Sequence, residues 1–165
     1  MKNLLKISVL ALGLAVAMVS CKKDDNSSNP NAQFANTYTN CYATVMQQTI
    51  GPFDVKITNS GDNLAMSAVI PTADLMGMDV PVSNLIITKD TVETEGSASA
   101  FFGAVKLQSI SIPVLGAISF AGAGGIPDSN DTGHDAMVAT TGAFEMNVTV
   151  TMDGSPMEIQ ISNDN

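Results

Sequence analysis

The chain has 165 residues, with seven Lys, no Arg, 16 acidic residues and a formal net charge of −9 at pH 7. Nucleic-acid binding needs clustered cations that release phosphate counterions, so that class is excluded. Bidentate guanidinium capture of phosphate or carboxylate is excluded with it.

The chain opens on Lys2 and Lys6, followed by an apolar run from Ile7 to Val19. The run is shorter than the ~20 apolar residues a membrane-crossing helix needs. It suits the core of a signal peptide. Met18-Val19-Ser20-Cys21 resembles the lipobox cut by lipoprotein signal peptidase, with Met18 in place of the usual Leu. Residues 1–20 are therefore expected to be a lipoprotein signal peptide, and Cys21 the lipidation site. One acyl chain binds a membrane marginally; two or more anchor it stably. Lys23, Asp24 and Asp25 resemble the surface-export signal of Bacteroides-type lipoproteins, a Lys followed by two acids. The expected location is the outer membrane of a Gram-negative bacterium, anchored by lipid and facing the cell exterior.

Residues 21–36 are polar and read as a flexible tether. Removing 20 of 165 residues leaves 145, enough for one domain, placed at 37–165. Five of the seven Lys remain against 16 acids, a net charge of −11. Such a charge favours solubility. With Cys21 lipidated, Cys41 has no partner for an internal disulfide. It alternates with Thr39, Ala43 and Val45, and reads as a small buried hydrophobe.

Beyond residue 36 the pattern is of short β-rich runs separated by turn residues. Strands are predicted at Thr37–Thr49, Phe53–Asn59, Leu64–Ile70, Val80–Thr88, Thr91–Phe102, Val105–Ile112, Ala117–Ala121, Phe144–Met152 and Met157–Ser162. The breakers are Gly51-Pro52, residues 60–63, residues 71–74, Lys89-Asp90 and the Gly-rich stretch 122–133. The fold class is all-β, an antiparallel up-and-down meander closed as a barrel of about 8–10 strands, with a β-sandwich as the alternative. The last hairpin is the best determined. Asp153-Gly154 is a two-residue turn signal that sets Val150, Val148 and Met146 opposite Met157, Ile159 and Ile161. In Thr91–Phe102, alternation puts Val92, Ala98, Ala100 and Phe102 on one face and Glu93, Glu95, Ser97 and Ser99 on the other. The eight Met residues beyond the signal peptide suit pliable core or pocket positions.

Three segments carry a family resemblance: Asn36-Thr-Tyr-Thr, the run Asp79-Val-Pro-Val-Ser-Asn-Leu-Ile-Ile-Thr, and the closing Met152-Asp-Gly-Ser-Pro-Met-Glu-Ile-Gln-Ile. Together with the strand order, they resemble calycin-like lipoproteins of Bacteroides-type bacteria over roughly 36–163. Calycins are meander barrels, many of which hold apolar small molecules. The resemblance implies a noncatalytic barrel binding an apolar small molecule or lipid, with Met66, Ala98, Ala100, Phe102, Met146, Val148 and Ile159 as candidate pocket lining. The Gly-X-Trp signature of lipocalins is absent, and the chain has no Trp. The alternative is a solid-cored surface lipoprotein that recognises a protein or glycan.

Catalytic motifs are sparse. His134 is the sole His and reads as an exposed loop residue, with no Gly-X-Ser-X-Gly elbow to accompany it. Asp128, Asn130, Asp131 and Asp135 offer oxygen ligands for Ca²⁺ but miss the EF-hand spacing. Glu93 and Glu95 read as a wet strand face rather than a carboxylate pair. Asp90-Thr91-Val92 resembles an O-glycosylation motif of Bacteroides-type secreted proteins, with Thr91 as acceptor. No cofactor and no enzyme activity are expected.

Overall fold

The computed structural model describes residues 29–112 and 116–163. The predicted signal peptide 1–20, Cys21, Lys23, Asp24 and Asp25 lie outside the described residues.

The chain forms β1 (Thr37–Val45), β2 (Gln48–Ser60), β3 (Asn63–Ile70), one helical turn α1 (Ala73–Met76), β4 (Val80–Glu95), β5 (Ala98–Ala104), β6 (Gln108–Ile112) and β7 (Gly116–Gly122). A small ribbon, β8 (Ile126–Pro127) and β9 (Gly133–His134), leads to β10 (Ala136–Ala139), β11 (Phe144–Met152) and β12 (Ser155–Ser162). Hydrogen-bonded neighbours run β10-β5-β4-β3-β2-β1-β12-β11-β7-β6, and β10 also pairs with β11. That second pairing closes the sheet into a ring.

Two pairs of segments are halves of single strands. β5 and β6 succeed one another along β4, separated by residues 105–107. β7 pairs with the second half of β11 and β10 with its first half. Ala123 N–H donates to Asn147 C=O, and Asn147 N–H donates to Asp135 C=O. Residues 124–134 are thus an excursion from one long strand. Ten segments reduce by two to an eight-strand up-and-down barrel.

The closing hairpin has the register its sequence predicts, with Val150 opposite Met157, Val148 opposite Ile159 and Met146 opposite Ile161. Asp153 and Gly154 both take positive φ, at 51° and 77°. This is the twist a two-residue hairpin turn requires.

Residues 60–63, 71–74 and 122–133 separate strands as expected, but two predicted breakers, Gly51-Pro52 and Lys89-Asp90, fall inside strands, as bulges. Ala43 pairs with Ile50 and Cys41 with Phe53, so Gly51 and Pro52 together oppose Tyr42. A bulge is where a sheet accommodates Pro, which has no N–H to donate. Lys89 pairs with Gly103 and Thr91 with Phe102, leaving Asp90 as an extra residue in β4. Conversely, the predicted strand 37–49 breaks at Met46-Gln47, and Thr91–Phe102 is a hairpin that turns at Gly96-Ser97.

That hidden turn reverses one predicted face. Phe101 pairs with Val92 and belongs to the interior, while Phe102 pairs with Thr91 on the outside. Ala98 and Ala100 pair with Glu95 and Glu93 on the same outer face.

One end of the barrel is plugged. Residues Ala32–Phe34 form a 3-10 turn, and Phe34 is fully buried 5.7 Å from Phe101. Tyr38 Oη stands 3.2 Å from both Phe34 O and Ala139 O, and its ring is 5.7 Å from Phe144. Asn29 and Asn31 donate to the carbonyls of Gly61 and Asp62 at the β2–β3 turn. Residues 29–36 are therefore part of the folded domain, which begins before the expected boundary at 37.

Candidate functional site

The opposite end of the barrel is hollow. A cavity of about 330 Å³ lies between the β1–β2, β3–β4 and β11–β12 connections. This is the small end of the range for ligand pockets, about 300–1,000 Å³. Its walls are Val45, Met46 and Ile50 from the first hairpin, Ile70 and Val80 flanking α1, Ile118 and Phe120 from β7, and Val150, Met152, Met157 and Ile159 from the last hairpin. Alternation explains the lining: each strand sends every second side chain inward.

The polar lining side chains are Gln48 and Thr72. Thr72 Oγ1 donates to Met78 O at 2.8 Å, so its hydrogen-bonding proton is committed. Among the described residues, no ionisable side chain lines the cavity. Such a space favours hydrocarbon, because an unpaired charge brought inside loses its hydration without compensation.

Met46 stands at the rim and is 78% exposed. It and Gln47 form the two-residue turn at φ of 48° and 66°. Both positions favour Asn or Gly, and neither residue is one. This is local backbone strain at the cavity mouth, carried by a residue that lines the cavity.

Of the residues expected to line a pocket, Ile159 does so. Met66, Met146 and Val148 are buried in the packed half of the core. Ala98, Ala100 and Phe102 face outward, for the register reason given above. The sequence reading missed Ile118, Phe120 and the two hairpin tips. Nothing in local alternation says at which end of a barrel the interior is empty; that depends on where Phe34, Phe101 and Phe144 meet.

A second group of polar side chains lies on the barrel's flank, where 124–134 folds back over β4 and β5. His134 is 6% exposed, which corrects the expectation of an exposed loop residue. Its Nδ1 is 3.0 Å from Asp90 Oδ2, and its Nε2 is 3.3 Å from Asp128 Oδ2. Its ring lies 5.3 Å from that of Phe102. The bulge in β4 is what turns Asp90 towards it, since an extra residue re-aims the side chain. Burial lowers the His134 pKa, but hydrogen bonding to Asp90 and Asp128 and the charges of both outweigh it, so the pKa is raised. The Thr132 N–H holds the Asp128 pKa down, helped by His134 and Asn130 against desolvation. Ser129 donates its N–H and hydroxyl to Glu93 Oε1, so that hydroxyl is not paired with His134.

Two of the four expected Ca²⁺ ligands, Asp128 and Asp135, spend their carboxylates on the excursion's own backbone. Asp128 Oδ1 accepts from the N–H groups of Asn130 and Thr132. Asp135 accepts from Val105 and Gly124 N–H, both at 2.7 Å. Asp131 takes a left-handed φ of 60°. Among the described residues, no three His, Cys, Asp or Glu side chains gather as a metal site. Thr91 is half-buried on the outer face beside Phe102.

Cys41 is fully buried, 3.4 Å from Tyr38 O. Burial pushes its thiol up to about 11, with the Asp54 charge adding to the rise against a lowering hydrogen bond from Val55. A thiol so protonated is a poor nucleophile.

No protein-family model, curated protein or solved structure matches the chain.

Proposed function

We propose that this protein is a surface-exposed outer-membrane lipoprotein of calycin-like type that holds an apolar small molecule or lipid without transforming it. The observation that carries the reading is the 330 Å³ cavity lined by aliphatic, Met and Phe side chains at one end of the barrel. An apolar ligand entering it leaves water and meets a surface with few polar groups to desolvate. Attachment rests on the Cys21 motif. The N-terminal segment leaves from the plugged end, through Asn29 and Asn31. A lipid on Cys21 would therefore hold the barrel by its closed end, with the cavity mouth turned away from the membrane.

The attachment is tested by growth on a labelled fatty acid. The wild-type chain should take up label, and Cys21→Ser should not; an unlabelled wild-type chain refutes anchoring. Surface exposure is tested by protease treatment of intact cells. Wild type should be digested, and a Lys23→Ala/Asp24→Ala/Asp25→Ala variant should be protected. Equal protection of both chains would count against the export signal.

A further inference from the structure

Resting on the pocket reading, we infer that the site selects by charge: its ligand is a hydrocarbon chain bearing a cationic or neutral head, and anionic amphiphiles are rejected. Two placements carry this. Among the described residues no ionisable side chain lines the cavity interior, so a carboxylate or phosphate head finds no partner there and must stay at the mouth. The mouth itself bears acids. Asp74 sits in α1, Asp79 follows it, and Asp153 forms the tip of the last hairpin; all three are exposed. Exposed Glu158 lies alongside on the outer face of β12, next to Met46.

The described lysines lie elsewhere. Lys56 pairs with Thr37 and Ser67 in the plugged half. Lys89 N–H donates to Asn63 beside the β2–β3 turn, and Lys106 lies at the break between β5 and β6. Among the described residues, the hairpins that frame the mouth carry negative charge alone. Asp79 and Asp153 directly adjoin the lining residues Val80 and Met152 in sequence, so a head group waiting at that mouth meets a negative field that salt screens beyond about 8–10 Å at ordinary ionic strength. The tail is thus chosen by the cavity and the head by the rim.

The experiment titrates the full chain carrying Cys21→Ser with three probes of equal tail length: dodecyltrimethylammonium, dodecanol and dodecanoate, below their micellar concentrations. At low salt the ammonium should bind roughly tenfold more tightly than the carboxylate, with the alcohol between. The gap should collapse in 1 M NaCl and in Asp74→Asn/Asp79→Asn/Asp153→Asn, while dodecanol affinity stays unchanged. Dodecanol binding with no preference between the charged heads, or with dodecanoate preferred, overturns the charge inference and leaves the pocket reading intact. A preference that survives the triple variant also overturns it. Failure of all three probes to bind overturns both readings.

Discussion

Asp135 has the most demanding position of any single residue here. Its carboxylate accepts from Val105 N–H at the break between β5 and β6, and from Gly124 N–H where the excursion leaves the wall. Gly122 is required beside it, since a Cβ there would overlap the Asp135 carboxyl. Asp135→Ala leaves two amides without acceptors and should cost about 2–4 kcal/mol, read by urea denaturation. A loss below about 0.5 kcal/mol would mean water replaces the carboxylate. His134 gives a pH signature. Its raised pKa means stabilisation is fully present below its unfolded value of about 6.5 and lost as pH rises through the folded value. The lowered Asp128 pKa acts in the opposite sense: its contribution is present above about 3.9 and lost as pH falls. The stability difference between wild type and His134→Gln should therefore be largest between about pH 4 and 6.5. A difference constant from pH 4 to 9 would contradict the ion pairing. Cys41 should resist thiol reagents in the native state and react once denaturant exposes it; fast native labelling would show that the β1 region opens.

At the scale of elements, the sequence is legible where turn chemistry and alternation agree. Asp153-Gly154 names both the turn and the register, because few residues take positive φ without cost. Met46-Gln47 defeats the same logic. It makes the same kind of turn without Asn or Gly, so no local signal marks it, and two strands read as one. Replacing it with Asn-Gly should stabilise the fold by about 1 kcal/mol and weaken binding of an apolar probe, since Met46 lines the mouth. Unchanged affinity would remove Met46 from the site. The bulges at Gly51-Pro52 and Asp90 are invisible for a different reason: Pro, Gly and Asp signal a break equally well in a loop or inside a strand. The seam between β4 and β6 is also beyond local pattern. No backbone pairing joins these segments; instead Gln108 Oε1 accepts from Ile86 N–H at 2.7 Å and its Nε2 donates to Ile86 C=O at 2.8 Å. A side-chain amide thus stands in for a strand. Gln108→Leu should cost about 1–3 kcal/mol and speed amide exchange at Ile86. Unchanged exchange would show that the seam is held by other contacts.

For the whole molecule, strand spacing points to an antiparallel meander, but the closing β10–β11 pairing and the unequal filling of the barrel are not legible in it. Phe34, Phe101, Phe144 and Met146 converge at one end from three distant stretches of sequence, each fully buried or nearly so. At the other end the inward residues are mostly Val, Ile and Met, with Phe120 as the one aromatic among the described lining residues, and they line the space without filling it. Aromatic side chains bury large areas, so their clustering fixes a solid half and leaves a hollow one. On the proposed reading this asymmetry gives the protein a direction, with a lipid on Cys21 at the plugged end and a ligand at the mouth. Native mass spectrometry of the protein isolated from its own host tests the ligand claim most directly. The expected result is a noncovalently held apolar molecule at one per chain, lost when Met157→Trp narrows the mouth. Wild-type chains that are repeatedly bare, and that also fail to take up added dodecanol, would contradict it.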